Sequence, residues 1–426
     1  MPQRKERKKH PLVHEFLTVK GNPRLCLYTE PLWSIPFNLF TPFLSVYMAA
    51  LLLNDTQIGL VASITLFFRA IMALFSGAVT DKLGRKLTTF IFDTVSWSVP
   101  CLLWALSQNF WWFVIAAIFN GFMQIPDNSW TCLLVEDTKK DKIITIYTLF
   151  HTISQISVIF APIAAILVHQ LTIVPAMRII LIFSFLSMST KFILLFRYCH
   201  ETKVGKTRMH ETADMSIWQI MRGYGQIFKR IFASRDMLLA LMVAALIITV
   251  GMVSANFFGL YVTGPLGIPE YLLAYFPIIR SLVIALFLFF LQPKIEKLGL
   301  RRPMLVGIVI SVASCILLIF SPVGSLILLF VYVLMDAVAF SLVVPSSDSI
   351  TQMLIEPSER ARIRGLMMVI VLGFGIPFGY LAGFLSDIDR RLPFLLIIGL
   401  FVAMFVIIAA SKKRIDAMNK GKTSAA

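Results

Sequence analysis

Charge is what this chain has least of. Asp, Glu, Lys and Arg make up 15% of its 426 residues, against 58% hydrophobic, whereas soluble domains carry about 25% charge. So few charges cannot cover a water-facing surface of that size, which excludes a soluble globular fold. Acid is scarcer than base, 23 residues against 39, leaving a net charge of +16. No GxxxxGK[ST] run occurs, which argues against an ATP-driven pump. The five cysteines show no CxxC spacing; they read as small packing residues, with neither a disulfide nor a metal expected. No nucleophile and base stand together, and the acids Asp336 and Asp348 lie ~18 Å apart along one helix, too far for a carboxylate dyad. The chain is therefore not expected to be an enzyme, and no cofactor is implied. With a basic start before a full-length apolar run, no cleavable leader is expected.

Long apolar runs fill the space that charge leaves. A hydrocarbon core ~30 Å thick takes about 20 apolar helical residues per crossing. Twelve such stretches can be marked, at 29–53, 56–79, 87–107, 110–135, 143–169, 175–198, 237–262, 270–292, 303–321, 325–355, 363–386 and 391–410. They are continuous rather than alternating, so the expected fold is an all-α membrane protein with twelve transmembrane helices. Assigned loop by loop, 33 of the 39 basic residues fall on one side and 3 on the other, with Arg69, Lys191 and Arg280 inside spans. This asymmetry places both termini in the cytoplasm, with the protein in the cell membrane. It also explains the net charge: the bases are dispersed over seven short segments and form no face for nucleic acid. The expected partner is the lipid bilayer.

The most informative charges sit in one short loop. Gly77-Ala-Val-Thr-Asp81-Lys82-Leu-Gly84-Arg85-Lys86 joins two apolar stretches, and Glu296-Lys297-Leu-Gly299-Leu-Arg301-Arg302 joins two more in the other half of the chain. An acidic–basic–Leu–Gly–basic run repeated at half-chain spacing marks a duplicated bundle. The loop resembles the signature between the second and third helices of major facilitator superfamily transporters. Further pairs share the offset, such as Ala161-Pro162 with Ile376-Pro377, and the fourth and tenth stretches both end in an acid, Glu136 and Glu356. The expected organisation is a basic tail at 1–28, a six-helix bundle at 29–198, a cytoplasmic linker at 199–236, a second pseudo-symmetric six-helix bundle at 237–410 and a tail at 411–426. In the linker, residues 201–214 read as flexible, and Ile217 to Phe232 carry an apolar stripe expected to lie on the membrane face.

The resemblance implies a conformational latch. Gly84 would permit the turn, Asp81 would cap a helix of the other half, and Arg85 and Lys86 would supply charge at the interface. Glu136 or Asp137 is the expected partner for Arg85, and Glu356 for Arg301 or Arg302; Gly77, Glu296 and Gly299 complete the set. The resemblance further implies secondary transport of a small molecule by alternating access, by a single chain, with protons as the expected coupling ion. The antiporter signature of the fifth helix survives only in shape, in Ala161-Pro162 with Ala164 and Ala165.

Ionisable groups inside spans are costly and informative. Arg69 and Arg280 occupy equivalent helices of the two halves and are similar to the arginine pair of nitrate and nitrite porters of the superfamily, giving an anion clamp as one reading. The preferred reading is export of amphiphilic, drug-like solutes. For it the candidates are Asp336, with no basic residue in its own span, Asp127 beside Asn128, Asp93, Asp348, and His151 by residue type. Each is weighed against an ordinary interhelical hydrogen bond. Phe37, Asn38 and Phe40 in the first helix, and Asn256, Phe257 and Tyr261 in the seventh, are expected to line the cavity.

Overall fold

The computed structural model describes residues 11–139, 142–291, 295, 299–354, 360–412, 414 and 415. Among them no strand occurs, and ten helices are long and apolar enough to cross a membrane. The first half holds α2 (Asp55–Leu83), α3 (Arg85–Leu106), α5 (Ile143–Leu171) and α6 (Ile173–Tyr198). The second holds α7 (Arg235–Thr263), α8 (Tyr275–Phe290), α9 (Arg301–Ile319), α10 (Leu326–Leu354), α11 (Arg360–Ile388) and α12 (Leu392–Ala410). The two other stretches are helices broken by a tight turn. In α1, Pro31–Phe40 and Leu44–Ala50 are separated by a 3-10 turn at Thr41–Phe43, where Pro42 offers no N–H. In α4, Phe110–Asn120 and Gln124–Val135 flank the turn Gly121–Met123. A Cβ on Gly121 would stand 2.3 Å from the Phe68 side chain, so glycine lets α2 approach at this break.

The duplication is visible in hydrogen bonds. Tyr47 of α1 is wholly buried and donates to the Trp104 carbonyl near the end of α3, at 2.9 Å. Tyr261 of α7 is equally buried and donates to the Leu318 and Ile319 carbonyls at the end of α9. Donor and acceptor recur together, half a chain apart. Each tyrosine ties the first helix of its half to the third while satisfying carbonyls the helix end leaves free. Tyr261→Phe is expected to lower unfolding free energy by about 1–3 kcal/mol, because buried acceptors lose their donor; thermal denaturation in detergent checks it.

Helices extend beyond both ends of the expected first bundle, into the basic tail and into the stretch 201–214 that reads as flexible. Residues just before 29 are helical, Asn22–Thr29, and Cys26 and Leu27 pack against Leu133, Leu134 and Leu195. The Asn22 amide exchanges hydrogen bonds with the backbone of His200, at 2.7 and 3.0 Å. The opening of the linker is also ordered: Thr202 caps a helix, Lys203–Glu211, by accepting from the Gly205 N–H. The apolar stripe behind it is partly inward. Ile227 and Ile231 of helix Tyr224–Ala233 are buried against the second half, among them Met237 and Met304. Tyr224 faces Gly77 of α2 from the same helix, so the linker touches both halves.

The halves meet most closely along α2 and α11. A Cβ built on Gly59 would lie 2.3 Å from the Gly379 carbonyl and 2.8 Å from Cα of Gly383. Ser63 of α2 inserts its hydroxyl into α11, donating to the Ile376 carbonyl at 2.6 Å and accepting from the Tyr380 N–H at 2.8 Å. A side chain wedged into a helical ladder beside a proline, here Pro377, is a recognised cause of a kink.

Candidate functional site: a cavity between two six-helix halves

Between the halves lies a cavity of about 660 Å³, walled by α1 and α5 from one side and by α7 to α10 and α12 from the other. Its wall sets several aromatic side chains among aliphatic and small polar ones. Trp33 stacks on Phe37 at 4.8 Å, while Phe258 stacks on Tyr332 at 5.5 Å and meets Phe276 edge-on. Set into this wall is an acid–base pair: Arg280 Nε donates to Asp336 Oδ2 at 2.7 Å. The guanidinium lies 4.4 Å from the centre of the Phe340 ring. Their side chains are 38% and 35% exposed, so the pair faces open space and can exchange partners, unlike a bridge locked in packing. The two groups that sequence placed in rival schemes are thus one unit.

Of the other candidates, His151 lines the cavity, as do Phe37 and Asn38. Arg69 is not among the lining residues; its guanidinium reaches Gln124 at 3.4 Å in its own half, with Asp127 nearby. Asn128 donates to Thr80 and Asn256 to the Met252 carbonyl one turn back in its own helix. Asp348 lies exposed on α10. Asp93 is buried in the first half, off the cavity wall, and Asp127 is exposed on α4 without being among the residues that line the cavity. Phe40, Phe257 and Tyr261, expected on the cavity wall, lie in the packed core. On α7 the cavity face is Gly251, Ser254, Ala255, Phe258 and Gly259, a stripe turned away from the expected one. An all-apolar helix carries no periodicity to tell these faces apart.

The signature loop is a hub within the first half. Arg85, 4% exposed, holds Glu136 at 3.0 Å and Asp81 at 3.1 Å. Asp81, expected to cap a helix of the second half, is instead spent on its own loop one helical turn away. The cap at the start of α3 comes from Glu201, whose carboxylate accepts from the backbone N–H of Arg85 and Lys86 at 3.0 Å each. Gly84 has φ +82°, and a Cβ there would strike Glu201 and Met209, so glycine is required twice over. In the second copy Gly299 has φ +76°, and Arg301 donates to the Ile408 and Ala409 carbonyls at the end of α12. Glu296 and Glu356 lie outside the described residues.

Contacts across the halves gather at the other end, and sequence reading missed them. Asp387 of α11 accepts from the first N–H groups of α2, those of Asp55 and Thr56, at 2.9 Å. Asp55, 4% exposed, is gripped by Arg390 through two bonds of 2.8 and 3.0 Å and accepts from Ser386. Arg390 also donates to the Leu260 carbonyl near the end of α7. The end of the bundle away from the termini is therefore shut by a bidentate ion pair over a glycine seam.

The family model described as Major Facilitator Superfamily matches residues 34–380. The chain belongs to the major facilitator superfamily. Solved structures of the superfamily's shape include the nucleoside transporter NupG, 18% identical with TM-score 0.68 over 92% of this chain and all of that one. The peptide transporter POT is 14% identical, with TM-score 0.69 over 96% of this chain and all of that one. At such identities the likeness is one of fold. Among sequence relatives, the Multidrug resistance protein MdtG of Serratia proteamaculans is 34% identical over 96 residues, 20% of this chain and 23% of that protein. MdtG of Enterobacter lignolyticus is 34% identical over 92 residues, 20% and 22%. The match thus spans less than a quarter of these relatives. As a member of the superfamily, this chain is a multi-pass membrane transporter.

Proposed function

We propose that this transporter exports small amphiphilic, drug-like cations in exchange for protons, working as a single chain by alternating access. The cavity is the observation that carries this reading. Its volume suits a drug-sized solute, and its aromatic faces accept flat apolar rings and cations. Among the described residues, Asp336 supplies the one carboxylate on its wall. The relatives named for multidrug resistance support the same direction. The basic-residue asymmetry puts the Asp55–Arg390 end outside the cell, so breaking that ion pair is the step that releases solute. An anion clamp would need Arg69 and Arg280 in one space, and Arg69 is engaged with Gln124 instead.

Ligand-dependent thermal shift of the purified protein tests the reading. Lipophilic cations are expected to stabilise it, by about 2.7 kcal/mol at 100 times Kd, and small anions are not. Stabilisation by nitrate or a small organic anion, with none from the cations, would sink it.

A further inference from the structure

The charges buried in the first half lie off the cavity wall, and they do not balance. Glu30 and Lys191 form an ion pair of 2.7 Å with side chains 2% and 5% exposed. Asp93 on α3 is a second buried carboxylate whose charge is felt by Lys191 and Glu30, while Asp127 on α4, which interacts with Arg69 of α2, is exposed. Two buried carboxylates, Glu30 and Asp93, therefore share one buried base, Lys191. Asp93 is only 8% exposed, and among the described residues no hydrogen bond or ion pair is formed by its carboxylate. The helix departs from regularity just after it: Thr94–Ser98 is a π turn, and Asn120 donates to the Ser96 carbonyl within it at 2.8 Å. Such turns recur where a helix re-aims a functional side chain.

We propose that Asp93 is the proton-binding residue of this transporter, in a site separate from the solute cavity. The proposal rests on the proton-driven reading above and names where the proton goes. An uncompensated carboxylate in a dry interior is unfavourable by several kcal/mol, and a single proton on the cluster removes the excess. A metal ion does not fit, since no group of His, Cys, Asp and Glu able to hold one occurs among the described residues. On loading, an O–H bond of a hydronium ion breaks as the O–H on the Asp93 carboxylate forms, leaving water; on release that O–H breaks and a water molecule takes the proton as hydronium.

Lys191 carries the link to the cavity. Its ammonium lies 5.7 Å from the centre of Trp33 and 5.2 Å from that of Trp130, and Trp33 is part of the cavity wall. With Asp93 ionised, Lys191 is drawn between two acids. With Asp93 protonated, it belongs to Glu30 and to the face of Trp33. Protonation thereby changes the electrostatics of a surface the solute touches without occupying the solute's place.

The test uses the full-length protein in proteoliposomes, with the fluorescent cation ethidium as probe. Two readouts are taken: accumulation driven by a pH gradient, and counterflow exchange with no gradient. Asp93→Asn is expected to lose driven accumulation by at least about tenfold while counterflow stays within about twofold, the signature of lost coupling at an intact solute site. Asp93→Glu is expected to restore part of the driven transport. Driven accumulation unchanged in Asp93→Asn overturns the proposal, as does an equal loss of both readouts, which marks a structural role. If the unaltered protein exchanges ethidium but ignores the pH gradient, or follows a sodium gradient instead, the proton-driven reading falls and Asp93 falls with it.

Discussion

Gly59→Val is expected to abolish transport while leaving a folded protein in the membrane. At Gly59 even a Cβ would come within 2.3 Å of a backbone carbonyl of α11. Backbone cannot step aside as a long side chain does, so the sealed arrangement is disfavoured by about 3 kcal/mol, the upper range for overpacking. That shifts a two-state balance by roughly 100-fold, towards the form with the Asp55–Arg390 end open. Within the helix itself valine is tolerated, so folding survives. The readout is labelling of Ser386→Cys, a position 4% exposed in the sealed form, after replacement of the five free cysteines. A membrane-impermeant maleimide is expected to modify it in the valine variant and spare it otherwise. Gly373→Ala, on α11 with nothing within 4 Å of the added atom, is the matched control. Normal transport by Gly59→Val would mean that this seam never needs to close.

The second large effect has opposite signs at two neighbouring residues. Asp336→Asn is expected to weaken binding of lipophilic cations by about tenfold or more, the order expected for a charge-assisted contact worth about 1.5–3 kcal/mol. Arg280→Gln is expected to strengthen it, because Arg280 is the internal cation that competes for the same carboxylate at 2.7 Å. The one-third exposure of both side chains leaves them free to rearrange, which keeps either change from acting as a folding lesion. Binding isotherms for both variants with the same cation decide the matter. Equal losses from both would show that the pair acts only as a structural tie.

Sequence alone made the architecture legible because membrane-spanning helices advertise themselves by length and composition. The Arg85–Glu136 partnership was readable too, since both residues sit at helix ends facing one side. Side-chain direction was not. The resemblance and its place at the end of α2 point Asp81 towards a helix of the other half, yet Arg85 one turn on is nearer. Arg280 and Asp336 were sorted into competing roles because they stand on different helices, α8 and α10, with all of α9 between them in the chain. Asp55 and Arg390 belong to no motif, and nothing short of three-dimensional contact pairs residues 335 positions apart. Gly59, Gly379 and Gly383 carry no charge to notice, so the seam that governs the α2–α11 approach was invisible.

The stitching of Asn22 to His200 and the capping of α3 by Glu201 bear on how the chain is made. Every contact that closes the first half on itself is available once residue 202 has been synthesised, so that half can assemble while the rest is still on the ribosome. The helix start at Asp55 is different, because its partner Asp387 comes from the far end of the second half. At roughly 5–20 residues per second, the stretch from Glu201 to Asp387 takes about 10–40 s to make. Through that wait Asn54 alone caps α2. The seal that transport must later break is thus among the last things biogenesis makes.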